Sequence, residues 1–285
     1  MEKYLKSLGI DSSTLKPAQK GWMSDIYTAT STSGDVIVHK INPVPEQRRQ
    51  LVHKKIEYVA GLLKHLDIVP MVLHAKEFQG YYIIVQEKMP GTLLGQRKIE
   101  NNTIRDIYTK DSKILSETEQ YLRRIHSVKM TGFGFLKGSK TEFNNWYDFC
   151  CQSLKWLDMI SESAALRGRL QRLLEDNKSL LEKQQSFLVH GDMVNPGNIL
   201  IRNNHVSAIL DFEWALAGDP AWEFAYTDQF PRYSYFSDFN LEEIAEFNIR
   251  KNIYAILWRL WGCIVHREGL VKEILFTEFR DLLPP

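Results

Sequence analysis

The sequence predicts an α+β fold of two lobes: a small, β-rich N-terminal lobe with one helix, and a larger, mainly helical C-terminal lobe. Three observations carry this expectation. Runs rich in β-branched and aromatic residues, separated by turn residues, crowd the first ninety positions. Apolar residues at helical spacing dominate the remainder of the chain. Between the two, Met89-Pro90-Gly91 interrupts both patterns. The boundary therefore falls near residue 90, with lobes at 1–90 and 91–285.

Each element has its own signal. Asp25–Thr30 and Asp35–Ile41 read as strands around the turn Ser31-Thr32-Ser33-Gly34. From Glu46 to Leu66, the positions Leu51, Val52, Ile56, Val59, Leu62, Leu63 and Leu66 recur at helical spacing. Val69–Ala75 and Tyr81–Gln86 are again strand-like, with Gln79-Gly80 as their turn. Beyond Gly91, the segments near 103–127, 145–160, 164–185 and 240–268 read as helices. A short β-rich stretch lies between the last two: Phe187–Val189, a loop, Ile199–Arg202 and Val206–Asp211.

Composition narrows the function. The 285 residues carry 36 Lys+Arg against 35 Asp+Glu, a net charge of +1, with 44% hydrophobic and 25% charged residues. This is ordinary globular usage, which argues against a disordered chain. It also argues against a nucleic-acid binder, which needs a positive excess for phosphates. The N-terminus has no apolar secretory region. The apolar run Ile253–Val265 is short and contains Arg259, so it reads as a buried helix and no membrane partner is expected. The three cysteines, Cys150, Cys151 and Cys263, include an adjacent pair and no CxxC, so a thiol is left free. A reducing, cytoplasmic location is the expectation.

The chemistry concentrates between Phe187 and Tyr226. His190-Gly191-Asp192 is followed by Asn198, then by Asp211-Phe212-Glu213. A base carboxylate and an amide in one loop, with a metal-binding carboxylate on a later turn, is the arrangement of phosphoryl transfer. One carboxylate accepts the proton of an attacking hydroxyl. The amide and the second carboxylate hold Mg²⁺, which neutralises charge as the γ-phosphoryl group moves. The intervening strand-turn-strand spans thirteen residues, from Asn198 to Asp211. No Walker-type G-x-x-x-x-G-K-[ST] is present, and Gly132-Phe133-Gly134 lacks the third glycine and the preceding strand of a dinucleotide fingerprint.

These residues resemble the aminoglycoside phosphotransferase/choline kinase family, which has the bilobal protein-kinase-like fold. The likeness extends over Gly21-Trp22-Met23-Ser24, Lys40, Glu57, Met89-Pro90-Gly91, Leu122–His126 with Gly132-Phe133-Gly134, the His-Gly-Asp loop and Gly218-Asp219-Pro220. One spacing departs from the family: Asn198 lies six residues after Asp192 rather than five. Asn198 is read as the metal ligand after a one-residue insertion, with Asn195 as the alternative.

The resemblance implies an ATP- or GTP-dependent small-molecule kinase. Asp192 is the catalytic residue, and Asn198 and Asp211 are the Mg²⁺ ligands, with Glu213 assisting. Lys40, set by Glu57, pairs with the nucleotide phosphates; its strand alternation puts it on a face with Val36 and Val38. Ser24 covers the phosphates, and Glu87 and Met89 form the hinge whose backbone meets the base. His126 and His190 read as structural. Glu213, where a protein kinase has glycine, and the absence of an Ala-Pro-Glu signature argue against a protein kinase.

The acceptor implied is a small, cationic molecule with a hydroxyl, an aminoglycoside-type antibiotic first. Gly132-Phe133-Gly134 followed by Trp146-Tyr147-Asp148-Phe149 is similar to members acting on hygromycin-like drugs. A metabolic kinase for choline, another amino-alcohol or a sugar is the alternative, and a nucleotide-binding pseudokinase the third. Charge distribution points to a cation as well. Residues 203–285 carry 7 Lys+Arg and 13 Asp+Glu, including Asp219, Glu223, Asp228, Asp238, Glu242, Glu243 and Glu246. An acidic wall of this kind steers cations. Of the seven aromatics in Trp222–Phe236, most read as core, with Tyr233 to Phe236 as the substrate contact.

Overall fold

A computed structural model describes residues 2–20, 24–41, 46–100, 103–108, 111–161, 163–226, 235–266 and 269–285. Its contacts divide the chain into two compact units. Unit one comprises Met1–Thr92, Leu136–Ser139 and Leu200–Glu213; unit two comprises Leu93–Phe135, Lys140–Ile199 and Trp214–Pro285.

Unit one is built on a five-stranded antiparallel sheet. After a short helix α1 (Glu2–Ser7), the elements are β1 (Ile10–Lys20), β2 (Ser24–Ser31), β3 (Gly34–Ile41), α2 (Glu46–Leu63), β4 (Val72–Phe78) and β5 (Tyr81–Glu87). The strand order is β1-β2-β3-β5-β4. The β2–β3 hairpin closes at Gly34, whose φ of 127° suits glycine, and Ser31 Oγ donates to Gly34 O at 2.9 Å. Neither α1 nor β1 is legible in the apolar pattern: in β1 the core residues Ile10 and Leu15 are separated by four polar residues, and the strand pairs with β2 through two register shifts.

Strand alternation gives this sheet two different faces. One carries Ala29, Val36, Val38, Ile83 and Val85, and packs with Leu5 of α1. The other carries Ile41, Tyr82 and Ile84, and packs with Ile56 of α2. Register fixes every β3 side chain to a face: Lys40 pairs with Ile83 and His39 with Ile84. The hairpin Ile199–Arg202/His205–Ile209, all but its first residue, belongs to unit one. It turns through Asn203 and Asn204, both at positive φ (53° and 60°). Ile209 N donates to Ile68 O at 2.7 Å, and Ser207 Oγ donates to Pro90 O at 2.6 Å, so the hairpin is tied to two separate segments of the same unit.

Unit two is mainly helical. The helices are α3 (Ser112–Ile125), α4 (Trp146–Asp158), α5 (Ala164–Asp176), α6 (Lys178–Glu182), α7 (Leu241–Val265) and α8 (Leu270–Leu282). The helix expected over 103–127 begins only at Ser112, where the Asp111 carboxylate caps the amides of Lys113 and Ile114. Before it, Gly95–Glu100 and Thr103–Tyr108 form an antiparallel pair. Thr103, Ile104, Ile107 and Tyr108 favour that state over a helix. The single helix expected over 164–185 is broken at Asn177.

A three-stranded sheet joins Phe187–Val189, Leu216–Gly218 and Gly134–Phe135. Behind it lies an aromatic core of Trp146, Phe149, Trp222 and Tyr254. The three cysteines are free. Among the described residues, no helix is long and apolar enough to cross a membrane.

Candidate active site

In unit two, the Asp192 loop leaves strand Phe187–Val189 and ends in a 3-10 turn, Pro196–Asn198. Gly191 sits at φ 87°, and a Cβ there would collide with the Trp214 carbonyl oxygen, so the loop needs glycine. Asp192 N donates to His190 Nδ1 at 3.2 Å. Asn195 Nδ2 and Asn198 Nδ2 both donate to Asp192 Oδ2, each at 3.0 Å, and Asn198 Nδ2 also reaches Asp192 O at 2.9 Å. Two amides on one oxygen fix the plane of the carboxylate.

The two asparagines have different duties. Asn195 Oδ1 accepts from Gly197 N at 3.1 Å and caps the turn. Asn198 is only 6% exposed. Its NH₂ group is turned to Asp192, which directs its Oδ1 the other way. The 3-10 turn Pro196–Asn198, capped by Asn195, lies within the six-residue step from Asp192 to Asn198.

A residue that the sequence does not single out as structural supports this loop. Glu223 is 2% exposed, and its carboxylate accepts from Gly191 N at 2.9 Å and Met193 N at 2.6 Å. Its two oxygens thus hold the amides on either side of Asp192. His126 Nε2 faces Glu223 Oε2 at 3.7 Å, beyond hydrogen-bonding distance. Burial alone would raise the Glu223 carboxyl. The facing His126, the His190 imidazole and the Gly191 amide outweigh burial and hold it below its ordinary value. Glu223 lies three residues after Pro220 in a capped turn; only that Asp-Pro turn hints at its placement.

In unit one, Asp211 follows strand His205–Ile209 at φ 62°, a left-handed conformation that costs a non-glycine residue energy. Its side chain is exposed, and its Oδ1 accepts from Glu213 N at 3.4 Å. Lys55 of α2 is 6% exposed and donates from Nζ to Glu213 O at 2.7 Å. Burial pushes its ammonium down to about 8, against the pull of the Glu213 and Asp211 carboxylates.

Other expected site residues take different places. Lys40 lies on the α1-side face, with Nζ 4.0 Å from the centre of the Tyr81 ring. Glu57 is exposed on α2, which packs against the opposite face, so the structure does not bring the pair together. Of Gly21–Ser24, the first three residues lie outside the described residues, and Ser24 opens β2 opposite Ile41. Glu87 ends β5, exposed, with its amide donating to Met71 O at 3.0 Å; Met89 lies just beyond, half-buried.

The residues of the expected acidic wall take several different places. Asp219 is 2% exposed, and its Oδ2 accepts from Arg250 Nε and Tyr254 OH, both at 2.6 Å. Glu223 is buried beneath the Asp192 loop, and Asp238 pairs with Arg123. Glu246 meets Lys183 at 2.7 Å, and Glu243 caps α7 with Asn240. Asp228 lies outside the described residues. Burial removes Asp219 and Glu223 from any surface that could meet a cation, while Glu242 and Glu243 are exposed. The aromatic expectation changes too. Tyr235 is buried, bonded through its hydroxyl to His126 Nδ1 at 2.7 Å and packed on Phe224 and Phe247, while Tyr233 lies outside the described residues.

Among the described residues, no three His, Cys, Asp or Glu side chains group as a metal site. Asn198 in unit two and Asp211 in unit one each offer an oxygen donor of the kind that Mg²⁺ takes alongside water and substrate phosphates.

Comparison with known proteins identifies the fold and the family. A search of curated proteins finds no match. Among solved structures, a thermostable mutant of aminoglycoside phosphotransferase APH(4)-Ia, in complex with AMP-PNP and hygromycin B, is similar at 16% identity and a TM-score of 0.69, over 99% of this chain and 94% of that one. A putative fructosamine-3-kinase from Haemophilus somnus 129PT has 16% identity and a TM-score of 0.64, over 94% and 91%. Choline kinase LicA from Streptococcus pneumoniae has 18% identity and a TM-score of 0.59, over 99% and 95%. These likenesses establish the protein-kinase-like α+β fold. The profile of the phosphotransferase enzyme family matches residues 14–250, and the chain belongs to that family.

Proposed function

We propose that the protein transfers the γ-phosphoryl group of ATP or GTP to a hydroxyl of a small cationic molecule, with aminoglycoside-type antibiotics as the first class. The observation that carries this reading is the Asp192 carboxylate, oriented by two asparagine amides in a loop locked by Glu223. Asp192 takes the proton of the acceptor hydroxyl as its oxygen bonds to the γ-phosphorus. The bond from that phosphorus to the bridging oxygen breaks, and the nucleoside diphosphate leaves. Asn198 through Oδ1 and Asp211 through its carboxylate hold Mg²⁺, which, when bound, neutralises phosphate charge. Positioning supplies most of the acceleration.

The acceptor class rests on resemblance, since Asp219 and Glu223 are buried and Asp238 and Glu246 are ion-paired. The fold relative carrying AMP-PNP and hygromycin B supports both nucleotide and amino-sugar. Free thiols and a nucleotide co-substrate fit a reducing, cytoplasmic setting.

A coupled nucleotide-turnover screen against aminoglycosides, choline-like amines and sugars tests the reading, with Asp192→Ala as the blank. Mg²⁺-dependent turnover with an aminoglycoside, lost by a factor of about 10² or more in the folded Asp192→Ala variant, is the expected result. Turnover only with choline or a sugar moves the acceptor to metabolism. No turnover with any acceptor overturns the enzyme assignment in favour of a pseudokinase.

A further inference from the structure

The geometry of unit one separates the strand lysine from the turn it was expected to serve. Lys40 shares its face with Val36, Val38 and Ile83, against α1 and the Tyr81 ring. The β3 side chain on the α2 side at that level is His39, opposite Ile84. Burial pushes its imidazole down to about 4, opposed by a hydrogen bond with Gln86, so it is uncharged at neutral pH. The strand thus offers no cation to the face that α2 covers.

Helix α2 supplies one. Lys55 is almost fully buried, a rare state for a lysine unless something anionic holds it. Its Nζ donates 2.7 Å to the Glu213 carbonyl, inside the turn that presents Asp211. The Ile209–Ile68 hydrogen bond fastens that turn to the segment after α2, so two independent ties hold the turn against this part of the unit. We propose that Lys55, delivered from helix α2, is the cation that pairs with the nucleotide phosphates in this chain, in place of a strand lysine. The inference rests on the phosphoryl-transfer reading above. An ammonium on a flexible four-carbon stem acts as a point charge, so what matters is where Nζ ends and not which element carries it. Glu57, two residues along α2, is exposed and is not needed to set it.

The test is the affinity of the full-length protein for AMP-PNP, ADP and adenosine, each with Mg²⁺, in wild type, Lys55→Met, Lys55→Arg and Lys40→Met. Methionine keeps the length of the buried stem and removes the charge. The expected result is that Lys55→Met weakens AMP-PNP on the order of tenfold or more and leaves adenosine unchanged. Lys55→Arg recovers part of the loss, and Lys40→Met loses less than Lys55→Met. Far-UV circular dichroism checks that each variant is folded; if Lys55→Met is not, the Lys55→Arg pattern decides. An AMP-PNP to adenosine affinity ratio unchanged in the Lys55 variants overturns the proposal. So does an equal loss for all three ligands, which marks a structural role, or a collapse of the ratio in Lys40→Met alone. A wild-type protein that binds no AMP-PNP overturns the phosphoryl-transfer reading itself, and this inference with it.

Discussion

At Glu223, one carboxylate closes the loop that presents Asp192. Two backbone amides, from Gly191 and Met193, depend on it inside a buried site. Replacing it with Gln sets an amide N–H against one of these donors. The expected cost is about 1–3 kcal/mol at neutral pH, the penalty of an unsatisfied buried group. Because the folded carboxyl is held below its ordinary value of 4.5, its contribution is complete above that pH and is lost as pH falls toward the folded value. Urea denaturation of wild type and Glu223→Gln between pH 7 and pH 3 reads this directly. The stability gap should shrink only in the acid limb; a gap that is constant with pH shows that ionisation of Glu223 is not what holds the loop. The same scale explains what the sequence could show. Asp192, Asn198 and Asp211 stand in a recognisable spacing. Glu223 reads as one surface acid among several, because apart from the Asp219-Pro220 turn nothing in its neighbours distinguishes an acid that accepts two amides from one that faces water.

At the scale of elements, most strands and helices are legible in the sequence because their apolar periods are clean. The failures have identifiable causes. The 103–127 segment carries enough charge at helical spacing to mask a β-branched start, and only the Asp111 cap marks where the helix begins. Resemblance pairs Lys40 with Glu57 of α2, although the alternation of β3 already puts it with Val36 and Val38. The segment Leu216–Gly218 shows the opposite case, where a residue type is dictated by packing. A Cβ on Gly218 would overlap the Trp146 ring. That ring cannot withdraw freely, since Trp146 Nε1 donates to Tyr254 OH at 2.7 Å and Tyr254 OH donates in turn to Asp219 Oδ2. Burial raises the Tyr254 phenol well above its ordinary value, so it remains a donor. Gly218→Ala should therefore destabilise the protein by about 1–3 kcal/mol, the usual range for overpacking. Thermal unfolding checks it, and an unchanged midpoint would show that the aromatic core yields.

At the scale of the whole chain, a boundary near residue 90 marks where composition changes, and it does not bound what packs together. Unit one recruits Leu200–Glu213 from more than a hundred residues downstream. That segment supplies the acceptor for buried Lys55 at Glu213, donates to Ile68 O through Ile209 N, and holds Pro90 O through Ser207 Oγ. It also approaches Gly91 so closely that a Cβ there would lie 2.8 Å from Ile201 O. Composition and periodicity are local measures and cannot register a tie of this length. A fragment ending at Thr92 therefore lacks these partners. It exposes Ile68 and leaves Lys55 inside α2 without the carbonyl that makes its burial tolerable. A sheet with one face packed mainly on α2 has little margin for such a loss, since a whole domain is stable by only about 5–15 kcal/mol. Expressed alone, residues 1–92 should show no cooperative denaturant transition and little amide protection in β3 and β5, while the full chain shows both. Hydrogen exchange read by mass spectrometry decides between the outcomes. A fragment that unfolds cooperatively, with protected β3 and β5 amides, would show that the downstream hairpin is an accessory to unit one and not part of it.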